Sequence, residues 1–315
     1  MALQTNKQGL LVVISGPTAS GKTSMAVKLA KHFHTEVISA DSRQFYREIS
    51  LGTAAPTLEE MQGVPHHFVG HLSIAGEYNM SKFEEEVLDL LKFKFQQHDV
   101  MIMVGGSGLY LDAVCKGIDQ LPDPDPKLRV SLIEKFNNEG IEGLRLWLKE
   151  LDPDYYKVVD TNNRMRLMRG IEVCVQTGLP YSLQRLHTAQ IRPFHILKFG
   201  IDLPREMLIE RIQQRTDKML QTGWIDEVKA VFPYRHLNAL NTVGYKELFA
   251  YLAGEWSLEQ AVEKIKTNTR RYAKRQMTWL RRDIEVHWID GRDVEEAAIS
   301  MIQLIEVKRS FLAKD

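Results

Sequence analysis

The sequence predicts an α/β fold: a P-loop-type parallel sheet flanked by helices, with an all-helical insertion domain and a helical C-terminal region. Three observations carry this. Short apolar runs ending in turn or polar residues alternate with longer segments of helical spacing, the pattern of a parallel sheet covered on both faces. The first run, LLVVIS, leads straight into GPTASGKT, a glycine-rich turn that opens a helical segment. A central stretch of about ninety residues contains no good strand.

The apolar runs place strands at Leu10–Ser15, Val37–Ser39, Val100–Val104, Ile196–Ile201 and Val286–Ile289. The central stretch opens with GIDQLPDPDP, whose three prolines end any helix and stiffen the exit. Helical patterns follow in LRVSLIEKFNNEG, GLRLWLKEL and RMRLMRGIEVCVQTG, the last with Gly178 as its stop signal. A helical insertion is therefore expected over 117–194, set into a core formed by 1–116 and 195–315. From Pro204 onward the chain reads as mostly helical.

The totals exclude several classes. At 315 residues and 44% hydrophobic the chain can bury a sizeable core, and its formal charge of zero announces no global affinity for nucleic acid. Two cysteines, Cys115 and Cys174, support neither a disulfide framework nor a cysteine-based zinc site, which fits a reducing cytosol. No apolar run approaches the roughly 18–20 residues that span a bilayer, and the opening MALQTNKQG is too polar for a signal peptide. The expectation is a soluble cytoplasmic protein with no membrane contact and no obligate protein partner.

The pattern G-x-x-x-x-G-K-[ST] is complete over Gly16, Pro17, Thr18, Ala19, Ser20, Gly21, Lys22 and Thr23. Its glycines let successive N–H groups face phosphate oxygens, and the helix start adds partial positive charge. Lys22 brings a full charge, and the Thr23 hydroxyl is placed to ligate Mg²⁺. Nucleotide hydrolysis on such a loop usually employs an acid at the end of a second strand. Here VMIMV ends in GGSGLY, and no N-K-x-D motif reads a base. The loop points to a diphosphate carried by something other than a nucleoside.

Two further strand ends bear chemistry. EVISADSRQFY puts Asp41 just past a buried strand, where ligands bind in doubly wound sheets. It reads as a general base or a magnesium-supporting acid, or equally as the cap of a following helix. In VGGSGLY, Gly105 and Gly106 allow close backbone approach and Ser107 offers a hydroxyl that caps the next helix. In RTDKMLQTGWIDEV and the residues before it, Arg211 and Arg215 stand at i, i+4, so that one can reach the crevice. His66, His67 and His71 read as a loop lining the cleft rather than a metal set.

Zero net charge hides a local asymmetry. From Lys264 to Arg282 there are eight Lys or Arg and no acid, with Tyr272 and Trp279 interleaved. A basic helix with aromatics suits a phosphate backbone with a few exposed bases; the alternative is a solvated face. A second cluster, Arg164, Arg166 and Arg169, lies in the insertion, with Arg166 and Arg169 on one helix face.

Together these stretches resemble a known family, the bacterial tRNA dimethylallyltransferases (tRNA isopentenyltransferases). GPTASGKT, ISADSRQFY, GTAAPT, VPHHF, VGGSGLYLDAV, LPDPDP, RLMRGIEV, RTDKMLQTGWIDEV, TVGYKELFAYL and TRRYAKRQMTWLRR occur in that family's order from residue 12 to residue 282. The resemblance implies transfer of a dimethylallyl group from dimethylallyl diphosphate to N6 of adenosine 37, next to the tRNA anticodon. It implies that Gly16–Thr23 and Arg215 hold the diphosphate with Mg²⁺, Thr23 serving the metal, and that Asp41 is the base near N6. It places Asp41, Ser42, Arg43, Gln44, Ser107, Arg129, Met165, Arg166, Leu167, Met168, Arg169, Gly244, Tyr245 and Lys246 on tRNA-contacting positions, alongside Arg270, Arg271, Lys274 and Arg275 of the basic helix. Ser107 stands where the family usually has Thr, and the hydroxyl survives. The resemblance implies that the helical insertion helps grip the anticodon stem-loop and, with two cysteines, that the zinc finger of the eukaryotic members is absent. Rival readings are a small-molecule kinase, an adenylate prenyltransferase, and a non-catalytic RNA-binding module. A free nucleotide needs neither the basic helix nor the arginine-bearing insertion, and three functional strand ends argue against a module without catalysis.

Overall fold

A computed structural model of the chain describes residues 8–119, 121–185 and 189–313. The opening segment up to residue 7, part of the stretch weighed above as a leader, lies outside these residues. Six parallel strands form one sheet: β1 (Leu10–Ser15), β2 (Val37–Ser39), β3 (His66–His67), β4 (Val100–Gly105), β5 (His195–Asp202) and β6 (Val286–Asp290), in the order β3-β2-β4-β1-β5-β6. The helices are α1 (Lys22–His32), α2 (Leu58–Met61), α3 (Met80–Lys94), α4 (Gly108–Lys116), α5 (Pro126–Leu151), α6 (Pro153–Val158), α7 (Arg164–Thr177), α8 (Tyr181–Gln184), α9 (Arg205–Gln221), α10 (Trp224–Val231), α11 (Tyr245–Leu252), α12 (Leu258–Leu280) and α13 (Val294–Leu312).

β1 is central, paired with β4 from Leu10↔Val100 to Ser15↔Gly105 and with β5 from Leu10↔His195 to Ser15↔Gly200. Every β1 residue is buried because both sheet faces are covered. Leu11 and Val13 face a core shared with Phe83 of α3, Trp224 of α10, Tyr245 of α11 and Ile265 of α12. Leu10, Val12 and Ile14 face the opposite core, built with Met25 and Leu29 of α1 and Met301 and Ile305 of α13. The alternation of side chains along a strand divides one continuous apolar run between two layers.

All five expected strands are present. The sixth, β3, is too short to carry a sequence pattern, and it corrects the reading of the histidines. His66 and His67 pair with Val37 and Ile38 at the sheet edge, where His67 Nε2 meets the Glu36 carboxylate at 2.5 Å. His71 packs edge-on against Phe45, Phe68 and Tyr78.

The described chain divides into two compact units, 1–115 with 192–315, and 116–191. The smaller unit is helical among its described residues, with its own core around Leu132, Leu144, Leu148, Leu167 and Ile171. The break between its first two helical patterns is real: within α5, Gly140 adopts φ 68°, a left-handed conformation that interrupts the helix. Gly178 caps α7 in the left-handed region, as expected of a helix stop. Among the described residues no helix is long and apolar enough to cross a membrane, and Cys115 and Cys174 are both buried thiols.

Candidate active site

The phosphate loop joins β1 to α1. Gly21, at φ 85°, turns the chain into the helix, and Ser20 is fully buried beneath the loop. The Lys22 ammonium folds back over the loop, donating to the Pro17 carbonyl at 2.7 Å. Burial pulls its pKa down from 10.5 to about 8, the Arg215 guanidinium acts in the same direction, and the Asp41 carboxylate opposes both. From α9, Arg215 reaches the loop and donates through Nη2 to Thr18 Oγ1 at 2.6 Å. Burial lowers its pKa as well, again against the pull of Asp41. Two desolvated cations thus flank the loop, an arrangement that favours an anionic ligand. Of the two arginines at i, i+4, Arg215 enters the site. Arg211 turns to the carbonyls of Gly291 and Arg292.

The opposite wall comes from the ends of β2 and β4. Ala40 N–H donates to Val104 O at 2.8 Å, and a Cβ on Gly105 would lie 2.3 Å from Ala40 O, so only glycine permits this approach. Asp41 emerges beside Ser107. Its Oδ1 accepts from Arg43 N–H at 3.0 Å, and residues 42–45 form a turn. The capping role proposed for Asp41 therefore serves a turn, not a helix. Ser107 is also corrected: its hydroxyl accepts from Ser42 N–H at 3.0 Å and donates to Ser42 Oγ at 3.2 Å, while its carbonyl accepts from the N–H groups of Tyr110 and Leu111 in α4.

A third side of the cavity comes from α12 through Gln276, a residue that carried no sequence signal of its own. On α12, Tyr272, Gln276 and Trp279 lie at i, i+4 and i+7, one face of the helix. Tyr272 hydrogen-bonds Ser107, and its phenol pKa is raised by burial and by Asp41. Gln276 Oε1 accepts from Thr18 N–H at 2.8 Å, and its Nε2 donates to Gly106 O at 2.9 Å. Trp279 packs so closely on Gly108 that a Cβ there would sit 2.3 Å from its ring. The aromatics read as contacts for exposed bases are thus directed at the protein itself. The only signal for this was the period of Tyr272, Gln276 and Trp279, masked by the cations between them. The phosphate loop, Asp41, Gln44, Gly106, Arg215 and Gln276 enclose one cavity of about 240 Å³.

Arg270, Arg271 and Lys274 point elsewhere. With Arg205 and Arg281 they rim a second groove of about 520 Å³ beside Pro17, floored by Leu208, Ile212 and Met277. Arg275 is exposed, its guanidinium 5.8 Å from the Tyr272 ring.

Several positions assigned to tRNA by resemblance have internal partners. Arg43 donates to the carbonyls of Asn238 and Ala239 at 2.9 and 3.0 Å, and Gln44 Nε2 donates to Ala54 O at 3.0 Å. Gly244 and Tyr245 are buried, and the Tyr245 hydroxyl donates to Glu227, whose carboxylate also binds the N–H groups of Leu51 and Gly52. Of the trio expected at tRNA, only Lys246 is exposed. In the helical unit, Leu167 and Met168 are core residues, whereas Met165 and Arg166 are exposed. Arg169 donates to Pro122 O at 2.8 Å.

Arg129 makes a two-pronged pair with Glu172, a carboxylate with no solvent exposure. Removing one partner of such a pair leaves a buried charge uncompensated, at a cost of about 3–5 kcal/mol. Arg129→Ala is expected to lower stability by no more than the smaller of these figures, since the arginine is a quarter exposed and Arg169 Nη1, 4.0 Å from Glu172, still faces the carboxylate. Adding Glu172→Gln should recover much of the loss in thermal melts. No recovery in the double variant would show that the pair does not carry the effect.

Fold and cavity together define an α/β protein with a P-loop-type turn, in which a carboxylate and two cations line one cavity. The sequence profile of the IPP transferase family matches residues 44–283, and the chain belongs to that family. It is 48% identical to tRNA dimethylallyltransferase 1 of Bacteroides thetaiotaomicron over 88% of this chain and 90% of that protein. It is 45% identical to the tRNA dimethylallyltransferase of Christiangramia forsetii over 95% and 98%. Among solved structures it resembles the full-length tRNA isopentenylpyrophosphate transferase of Bacillus halodurans, with 34% identity, TM-score 0.72, and 98% of this chain and 99% of that chain covered. A eukaryotic dimethylallyltransferase acting on tRNA matches with TM-score 0.78 at 27% identity, over 97% and 80%.

Proposed function

We propose that this protein transfers a dimethylallyl group from dimethylallyl diphosphate to N6 of adenosine 37 in tRNA, releasing diphosphate. The observation that carries this reading is the opening of the phosphate loop, with Lys22 and Arg215, and of Asp41 onto the same cavity. The loop N–H groups and the two cations bind the diphosphate. The flipped-out adenosine enters beside Asp41, Ser42 and Ser107. N6 bonds to the allylic C1 as the bond from C1 to the diphosphate oxygen breaks, and the N6 proton passes to Asp41. Adenine N6 is a poor nucleophile because its lone pair is delocalised into the ring, so stabilising the departing charge is the larger contribution.

The donor set fits Mg²⁺ bound chiefly by its substrate. Among the described residues no cluster of three or more His, Cys, Asp or Glu is placed to hold a metal, whereas the Thr23 hydroxyl lines the cavity. Mg²⁺ keeps several waters and takes its remaining ligands from phosphates, so Thr23 would hold it, and the ion would supply further neutralisation of the diphosphate.

The direct test is incubation with radiolabelled dimethylallyl diphosphate and unmodified tRNA, followed by localisation of label to adenosine 37. Turnover of ATP to ADP without prenyl transfer would favour a kinase instead. For the tRNA surface, we propose that Arg270, Arg271, Lys274 and Arg275 with the exposed Arg166 meet phosphates. The log–log salt slope of tRNA affinity should then shrink by about 0.7–0.9 for each of the four α12 cations neutralised, with donor affinity unchanged. An unaltered slope after neutralising all four would make them a solvated face.

A further inference from the structure

We propose that Gln276 is a positioning residue for the transfer step: its side-chain amide sets the spacing between the loop that holds the donor and the strand-end turn beside the acceptor. The inference rests on the function proposed above. β1 and β4 are hydrogen-bonded neighbours whose pairing ends at Ser15↔Gly105. Beyond that pair the two chains diverge, one into the phosphate loop and the other into the turn carrying Gly106 and Ser107. Gln276 adds the next rung, taking the Thr18 N–H on its oxygen at 2.8 Å and giving its own N–H to Gly106 O at 2.9 Å.

The fit is specific. Gln276 is only 8% exposed, and a Cβ on Gly106 would lie 2.1 Å from its Nε2, so the glycine is what admits the amide. The bonds continue on both sides. Thr18 is also gripped by Arg215 at 2.6 Å. On the other side, Ser107 holds Ser42 N–H at 3.0 Å, next to Asp41. A connected set of hydrogen bonds thus runs from the diphosphate loop through Gln276 to the turn bearing Asp41. Bond formation requires C1 and N6 within about 3–3.5 Å and aligned, and a displacement of about 1 Å is worth roughly 10²-fold in rate. Buried polar groups need partners in any protein, so a role confined to satisfying two peptide groups is the competing explanation.

Two variants separate these roles, read by single-turnover transfer at saturating donor and tRNA. Gln276→Met keeps length and bulk but makes neither bond. It is expected to slow transfer by about 10²-fold while the dissociation constants of donor and tRNA change little. Gln276→Glu can still accept from Thr18, but as a carboxylate it opposes the Gly106 carbonyl. Protonation restores an O–H donor, so its rate divided by the wild-type rate at the same pH should rise as pH falls from 8 to 5. Wild-type transfer by the Met variant, a defect confined to donor affinity, or a flat ratio for the Glu variant would each overturn the proposal. If thermal melts show the Met variant unfolded, the Glu ratio decides alone. Failure of the wild-type protein to transfer at all would instead remove the function on which the inference rests.

Discussion

Replacing Asp41 with asparagine is expected to slow single-turnover transfer by about 10²–10⁴-fold, the usual worth of a general base, with no change in thermal stability. The carboxylate does two things in this structure. One oxygen holds the turn through Arg43 N–H at 3.0 Å, and an asparagine carbonyl can do the same. The group also lines the cavity opposite Lys22 and Arg215, where it can take a proton and an amide cannot. Asp41→Ala loses both functions, adding roughly 0.5–1.5 kcal/mol of destabilisation for the missing hydrogen bond. Transfer near the wild-type rate by the asparagine variant would leave Asp41 as a turn-holding residue and require another proton acceptor.

Lys22→Met should lower kcat by about 10²–10³-fold, the usual cost of removing one group that stabilises developing negative charge. It should also raise KM for dimethylallyl diphosphate, because the ammonium attracts the bound diphosphate as well as the departing one. The wild-type protein offers a second readout. Burial lowers the Lys22 pKa from 10.5 to about 8, so its positive charge is nearly complete about one pH unit below that value and is lost as pH rises through it. Donor affinity should therefore weaken above about pH 8, and this inflection should vanish in the Met variant. An inflection that persisted there would belong to another group.

Much of the candidate site is legible in the sequence because its signals are local. A phosphate loop must follow a strand and open a helix, so Gly16–Thr23 could be located from its flanks. Asp41, Gly105 and Ser107 could be placed at strand ends because parallel strands deliver their carboxyl ends to one edge. Contacts between distant segments were not legible. Glutamine is an ordinary helix residue, and nothing adjacent to Gln276 indicates that it meets Thr18 and Gly106. Tyr245 misled for a related reason: position in a motif says that a residue matters, not which way it points. Here it points inward, to Glu227. The pair Arg129–Glu172 likewise joins α5 to α7, separated by 43 residues, beyond the reach of any helical period.

The bond between Thr18 and Gln276 links residues 258 positions apart, and β1 acquires its β5 partner only at residue 195. At a synthesis rate of about 5–20 residues per second, the phosphate loop leaves the ribosome on the order of 13–50 s before the residue that fixes it. Within that interval β4 reaches β1 first, then β5, then Arg215 reaches the loop, and Gln276 arrives last. The loop of each nascent chain stays without its last partner until residue 276 has been added. The order in which the polypeptide emerges thus sets the order in which the loop acquires its partners, Arg215 before Gln276.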